Sequence, residues 1–154
     1  MYKLVSIVYR PETAQSSPEA YTRIPLTEAN LVAGYGIDGD AKGGGSDRNL
    51  NIMSAETMKE LGSEGFTVEP GKMGEQLILD GLDIDSLPKG ARLKIGDTAC
   101  VVVTIPRTGC SKFERFQGKR RDDAASRLGM MARVEVGGKI AVGDTVTIVS
   151  GTPQ

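Results

Sequence analysis

Short apolar runs rich in β-branched residues recur along this chain, and glycine turns separate them. The clearest are Lys3 to Tyr9 (KLVSIVY), Ala99 to Ile105 (ACVVVTI), Met131 to Val136 and Ile140 to Val149, and the alternating Arg92 to Ile95 joins them. Runs of this length and composition read as strands. KIGDT (94–98) and AVGDT (141–145) each set Gly-Asp between apolar residues, the chemistry of a tight β connection. Asp97 and Asp144 therefore read as turn residues. Many short strands at close spacing, with 20 glycines in 154 residues, predict a mainly β fold, a barrel or sandwich with one or two short helices over its open ends.

The remaining segments fit that frame. Residues 11–20 (PETAQSSPEA) are polar and contain proline, hence a loop. Residues 24–33 are mixed, with a strand near Leu31. Asn49 to Met53 alternates polar and apolar as a short strand does. Ser54 is placed to N-cap a helix over AETMKEL, with Gly62 as its stop. Residues 69–74 (EPGKMG) read as a turn, and residues 75–84 as a strand interrupted by Gly81. Residues 111–128 read as helical, at least over DDAASRL, ending at Gly129. Phe113 and Phe116, three apart, form one apolar side of that helix.

Composition excludes several chemistries. There is no histidine, so neither a Ser-His-Asp or Cys-His triad nor an HExxH zinc site can be built. Two cysteines make neither a disulfide framework nor a structural zinc site. Net charge is −1, and basic residues lack interleaved aromatics, so neither nucleic acid nor membrane is expected as a partner. The amino-terminal apolar run is too short for a signal peptide, and no stretch approaches a membrane span. The expectation is a soluble, cytoplasmic protein with a single domain over residues 1–150 and a tail at 151–154. Gly34, Gly36 and Gly39 spell a formal GxGxxG, but DAKGGGSD follows and cannot start the helix that a dinucleotide loop requires. Asp38, Asp40 and Asp47 lack the glycine and glutamate of a calcium-binding EF-hand loop.

Charge is unevenly spread. Residues 1–106 hold 10 Lys and Arg against 15 Asp and Glu, whereas residues 107–133 hold 8 against 3. Cys110 lies in the basic segment, in VTIPRTGCSKFERF, with Arg107, Lys112 and Arg115 within five residues. Pro106 and Gly109 end the preceding strand, so Cys110 sits in a loop or at a helix start. A thiol there ionises readily, and the thiolate is the nucleophile. The other reading is an inert loop cysteine beside a solvated charged face. Cys100, among β-branched neighbours and on one strand face with Val102 and Thr104, reads as a small buried hydrophobe.

Five motifs occur in a fixed order: GIDGDAKGG, DRNLNIMSAET (47–57), EPGKMGEQLILDGLDIDSLPKGARLKIGD (69–97), RTGC (107–110) and MARVEVGGKIAVGDTVTI (131–148). Together they resemble the MOSC domain, the molybdenum cofactor sulfurase C-terminal domain, over roughly residues 1–150. The resemblance implies a MOSC-like β-barrel with a few short helices. It also implies a cysteine that carries sulfur as a persulfide or ligates molybdenum, beside a site for molybdopterin. Cys110 matches the family cysteine. Asp40 matches the acid of the Gly-Asp motif, Arg48 the basic residue before Gln-Val, Glu75 the acid of Gly-Glu-Asn, and Arg133 the arginine before the final strands. Lys42, Arg107 and Lys112 add positive charge for an anionic cofactor. Arg48 could equally be an ion-pair partner of Asp40 or Glu75.

The departures are specific. The family commonly has histidine shortly after Gly-Asp, where Ala41 or Lys42 stands here, and Arg-Gln-Val is Arg48-Asn49-Leu50. Lysine keeps a charge for phosphate but offers no imidazole as base or ligand. No pyridoxal-phosphate domain accompanies the motifs, so a cysteine desulfurase or another sulfur donor has to load the thiol. A molybdenum-cofactor enzyme or biosynthesis protein is the implied acceptor. The competing readings are a molybdenum-dependent reductase subunit for N-hydroxylated compounds and a non-enzymatic anion- or partner-binding barrel.

Overall fold

The computed structural model describes residues 2–11 and 23–151. Residues 12–20 of the expected 11–20 loop, and residues 152–154 of the tail, lie outside the described residues. Eleven strands are formed among those described: β1 (Tyr2–Tyr9), β2 (Ile24–Leu26), β3 (Glu28–Val32), β4 (Gly36–Ile37), β5 (Leu50–Ser54), β6 (Leu77–Asp80), β7 (Arg92–Ile95), β8 (Ala99–Pro106), β9 (Met130–Val136), β10 (Gly138–Ala141) and β11 (Thr145–Ser150). Two α-helices, α1 (Ala55–Ser63) and α2 (Ser111–Gln117), complete the frame.

Seven strands close on themselves in the order β11-β7-β8-β9-β5-β6-β1. The closing pair is Tyr2 with Val146 and Lys3 with Thr145. Among the described residues, closure leaves the seven-strand ring itself without a terminal strand. Every pairing in the ring is antiparallel except β5–β6, which is parallel. A parallel pair needs a crossover rather than a hairpin, and α1 with the loop after it supplies that connection. β2 adds to the outside of β1, and β10, β3 and β4 form a separate small sheet.

Strand alternation fills the barrel. Leu50, Ile52, Leu77, Leu79, Leu93, Ile95, Val101, Val103, Ala132 and Val134 face one buried cluster, joined by Leu31, Ile37 and Ile140 of the small sheet. A second cluster lies outside the wall, where Met53 and Ile78 meet Met58 and Leu61 of α1, Phe66, Met73 and Phe113 of α2. This packing fixes α2 against the barrel and so fixes the residue that begins it.

Four local expectations need correction. Ser54 stands at the N-cap of α1 but makes no capping bond. Its hydroxyl donates to Leu82 O and accepts from Ile84 N, tying β5 to the turn after β6. Helix α1 runs past Gly62 and stops before Gly65, whose φ of +97° is left-handed. Gly62 instead admits Val68, since a Cβ would lie 2.9 Å from its Cγ2. Residues 75–84 hold a strand only over β6, and Ile84–Ser86 is a single 3-10 turn. The helix expected over 111–128 ends at Gln117, because Gly118 adopts φ +66°, and residues 121–124 form only a 3-10 turn.

Asn49 anchors the glycine loop to the barrel. It is fully buried. Its Oδ1 accepts from Val134 N, and its Nδ2 donates to Gly34 O, Gly44 O and Gly45 O. Removing this amide leaves buried backbone groups unpaired, which costs more than the bonds themselves contribute. Asn49→Ala is expected to lower stability by about 2–4 kcal/mol, read from the urea unfolding midpoint. Asn49→Asp, lacking the donor, should recover little of that loss.

Candidate functional site

β8 ends at Pro106, and residues 107–110 carry the chain to α2. Cys110 is the N-cap residue, in extended backbone, and is exposed. Its side chain makes no capping hydrogen bond. Partial burial opposes its ionisation. The N–H groups of Phe113 and Lys112 and the charges of Arg107 and Arg121 outweigh that, holding the thiol below the ordinary cysteine value. Cys100 on β8 goes the other way: burial and Glu135 push its thiol up, with Arg92 only partly offsetting them.

The thiol opens into a cleft of about 340 Å³. Lys42, Arg48, Arg107 and Lys112 line it, as do Arg23, Asn51, Gly74, Gln76, Thr108 and Met131. Its positive potential is visible in its lysines. Burial first, then Arg10 and Arg23, lower Lys42, with Asp40 and Cys110 acting oppositely. Burial first, then Lys42, Arg10 and Arg23, lower Lys112, against the effect of Cys110. Arg107 is held in place: it donates to Met73 O and its guanidinium lies 5.4 Å from the Phe113 ring centroid. Gly74 leaves room for it, since a Cβ there would lie 2.5 Å from Arg107 Nη2.

Asp40 and Glu75 do not line this cleft; both are fully buried beneath it. Asp40 Oδ1 accepts from Arg10 N (3.0 Å) and Lys42 N (3.1 Å), and Oδ2 accepts from Gln76 Nε2 (3.2 Å). Gln76 Oε1 in turn accepts from Asn51 N at 2.7 Å. Glu75 accepts from Gly71 N (2.6 Å) and Met73 N (3.2 Å), shaping the turn that receives Arg107. Burial raises the Glu75 carboxyl, moderated by the N–H groups of Gly71, Glu75 and Met73 and by Arg107. Arg48 is exposed and ion-pairs with neither Asp40 nor Glu75 among the described residues. Arg133 is half-buried on β9 opposite Val102 and is absent from the cleft wall. Strand alternation gives it the face of Met131, which does line the cleft, but one two-residue repeat, about 7 Å, further along.

Of the polar side chains in the wall, Arg23, Asn51, Gln76 and Thr108 are ones that sequence reasoning missed. Gln76 had a signal, standing at the third position of the Gly-Glu-Asn motif. Arg23 had none, because only the pairing of β2 with β1 brings it near Cys110.

A small closed β-barrel with a cysteine at the mouth of a cationic cleft is the class these features define. The model of the MOSC domain matches residues 39–147, and the chain belongs to that family, which is associated with molybdenum-cofactor-related proteins. Crystal structures share the fold. YiiM from Geobacillus stearothermophilus aligns with TM-score 0.75 at 22% identity, over 97% of this chain and 76% of its own. YiiM from Escherichia coli aligns at 0.72 and 22%, over 97% and 71%. The YuaD protein of Bacillus subtilis aligns at 0.69 and 18%, over 95% and 94%. A comparison with curated proteins found no match. No helix among the described residues is long and apolar enough to cross a membrane.

The thiol environment makes a measurable distinction. Alkylation of Cys110 by iodoacetamide should reach half its limiting rate at lower pH than alkylation of Cys100, followed by peptide mass spectrometry. Arg107→Gln should move the Cys110 midpoint upward and leave that of Cys100 in place.

Proposed function

We propose that this protein is a sulfur-carrier or molybdenum-cofactor-binding module whose working group is the Cys110 thiolate. One observation carries the reading: a thiol biased toward ionisation opens into the same cleft as Lys42, Arg48, Arg107 and Lys112. No imidazole is needed. Backbone N–H groups at the start of α2 and the guanidinium groups of Arg107 and Arg121 do what a histidine would otherwise do.

In the carrier reading, a cysteine desulfurase or another donor presents a persulfide. The Cys110 thiolate attacks its terminal sulfur, the donor S–S bond breaks, and the donor thiolate leaves. The new Cys110 persulfide sits among cations that stabilise its negative charge. A molybdenum-cofactor enzyme or biosynthesis protein is the proposed acceptor, with the cytoplasm as the setting.

The donor set also suits a phosphate-bearing cofactor. Arg23, Lys42, Arg48 and Lys112 would hold its anionic groups, and Cys110 would offer a soft sulfur ligand to molybdenum. Molybdopterin, when bound, supplies the redox chemistry of its metal. Asp40 and Glu75 take no part in contact; they position Lys42 and Arg107. Ala41 or Lys42 stands where the family commonly has histidine, and Lys42 meets an anion as a point charge.

Incubation with a cysteine desulfurase and free cysteine, followed by intact-protein and peptide mass spectrometry, tests this. One added sulfur on Cys110 is expected, lost in Cys110→Ala and retained in Cys100→Ala. Equal loading of Cys110→Ala, or loading confined to Cys100, contradicts the proposal. Lys42→Glu combined with Arg48→Glu should weaken inorganic phosphate binding at least tenfold in calorimetry while the melting temperature stays near wild type.

A further inference from the structure

A second cleft, about 440 Å³, shares only Arg107 and Thr108 with the thiol cleft. Pro106, Leu128 and Met130 form an apolar wall, and Asp85 stands among them as a half-buried carboxylate. The cavity falls within the size range of small-molecule sites, which are mostly apolar with a few placed polar groups. We propose that this cleft binds a small organic cation, its apolar body against Pro106, Leu128 and Met130 and its protonated nitrogen against Asp85.

The wall holds Arg107 and Arg121 as well as Asp85 and Asp122, so its formal charges cancel, and the partner of each group decides what Asp85 can meet. Asp85 forms no ion pair among the described residues. Asp83 is its close neighbour and accepts from Asp85 N at 3.2 Å. The nearby arginines have other carboxylates or carbonyls to serve. Arg121 donates to Gly109 O and lies 3.9 Å from Glu114, Arg107 donates to Met73 O, and Arg127 bridges Glu60 and Glu64. Asp122 at the rim is paired with Arg120 at 3.5 Å, which leaves Asp85 as the carboxylate that a ligand would meet. A carboxylate left in an apolar wall is costly unless a cation meets it. Burial and Asp83 push the Asp85 carboxyl up to about 6, against the Gly129 N–H that favours its charged form.

A metal ion fits this cleft poorly, because hard cations require several converging oxygens and the wall is apolar. An organic cation uses both the carboxylate and the apolar surface, and Met130 can adapt to its shape. Ser126 borders the cleft with φ +67°, a left-handed conformation that costs a non-glycine residue about 1–3 kcal/mol.

Above about pH 6 Asp85 is charged and attracts a cation. Below it, protonation removes the partner. Asp83, Asp122, Arg107 and Arg121 face this region, and Glu56, Glu60 and Arg127 face the adjoining groove that Asp85 also borders.

Amide NMR titration of the whole chain with benzylamine, and in parallel with neutral benzyl alcohol, tests the site independently of any chemistry at Cys110. Benzylamine at pH 7.5 should saturably shift the amides of Asp85, Leu128 and Gly129 while leaving those of Gly74 and Gln76 in place. Affinity should fall about tenfold at pH 5, and at least tenfold in Asp85→Asn. Benzyl alcohol should bind far more weakly, with no pH dependence. Equal binding of the two probes, unchanged affinity in Asp85→Asn, or shifts confined to the thiol cleft would overturn the proposal. The pH series and the neutral probe use the unmodified protein, so they decide the matter even if Asp85→Asn is unstable.

Discussion

Asp40 is a fully buried carboxylate beneath a cleft of cations, and both its oxygens are committed. One takes the backbone N–H groups of Arg10 and Lys42, and the other takes Gln76, which passes the connection to Asn51. That chain joins the end of β1, the glycine loop, the loop before β6 and β5, four segments far apart in sequence. Arg10 and Arg23 act against the charge on Lys42, and Asp40 acts in its favour. The negative charge lies behind the cleft rather than in it.

The barrel supplies the other half of the arrangement. Closure of β1 against β11 fixes the ring, and the β8–β9 pairing sets where residues 107–110 leave it. Phe113 then docks α2 on the outer wall, so its first N–H groups and Cys110 come to the cleft together. The same segment that carries the thiol also separates two cavities of different character, one cationic and one with an apolar wall and a single carboxylate.

Much of the fold was legible. β8 follows directly from its β-branched run and β7 from its alternation of charged and apolar residues, and Asp97 and Asp144 do lie in turns, with Asp144 accepting from Ala141 N. Local signals failed where tertiary contacts outbid them. Ser54 had a capping sequence, but Leu82 and Ile84 claim its hydroxyl. Gly118 breaks the expected long helix with a backbone conformation that residue identity permits but does not announce. In the site, Cys110 and its basic neighbours were visible because they are adjacent in sequence. Asp40 and Glu75 were recognisable by motif, yet their burial depends on the fold. Arg23 was invisible for the same reason, and Arg133 falls one strand repeat short of the cleft.

The Cys110 thiol and the cations of its cleft act on one another as one electrostatic unit. The direct measurement is the ultraviolet titration of the thiolate in Cys100→Ser protein, with and without saturating inorganic phosphate. An anion in the cleft should disfavour the thiolate and raise its ionisation midpoint, and Lys42→Glu with Arg48→Glu should abolish that response. A midpoint that stays fixed while phosphate demonstrably binds would contradict the account.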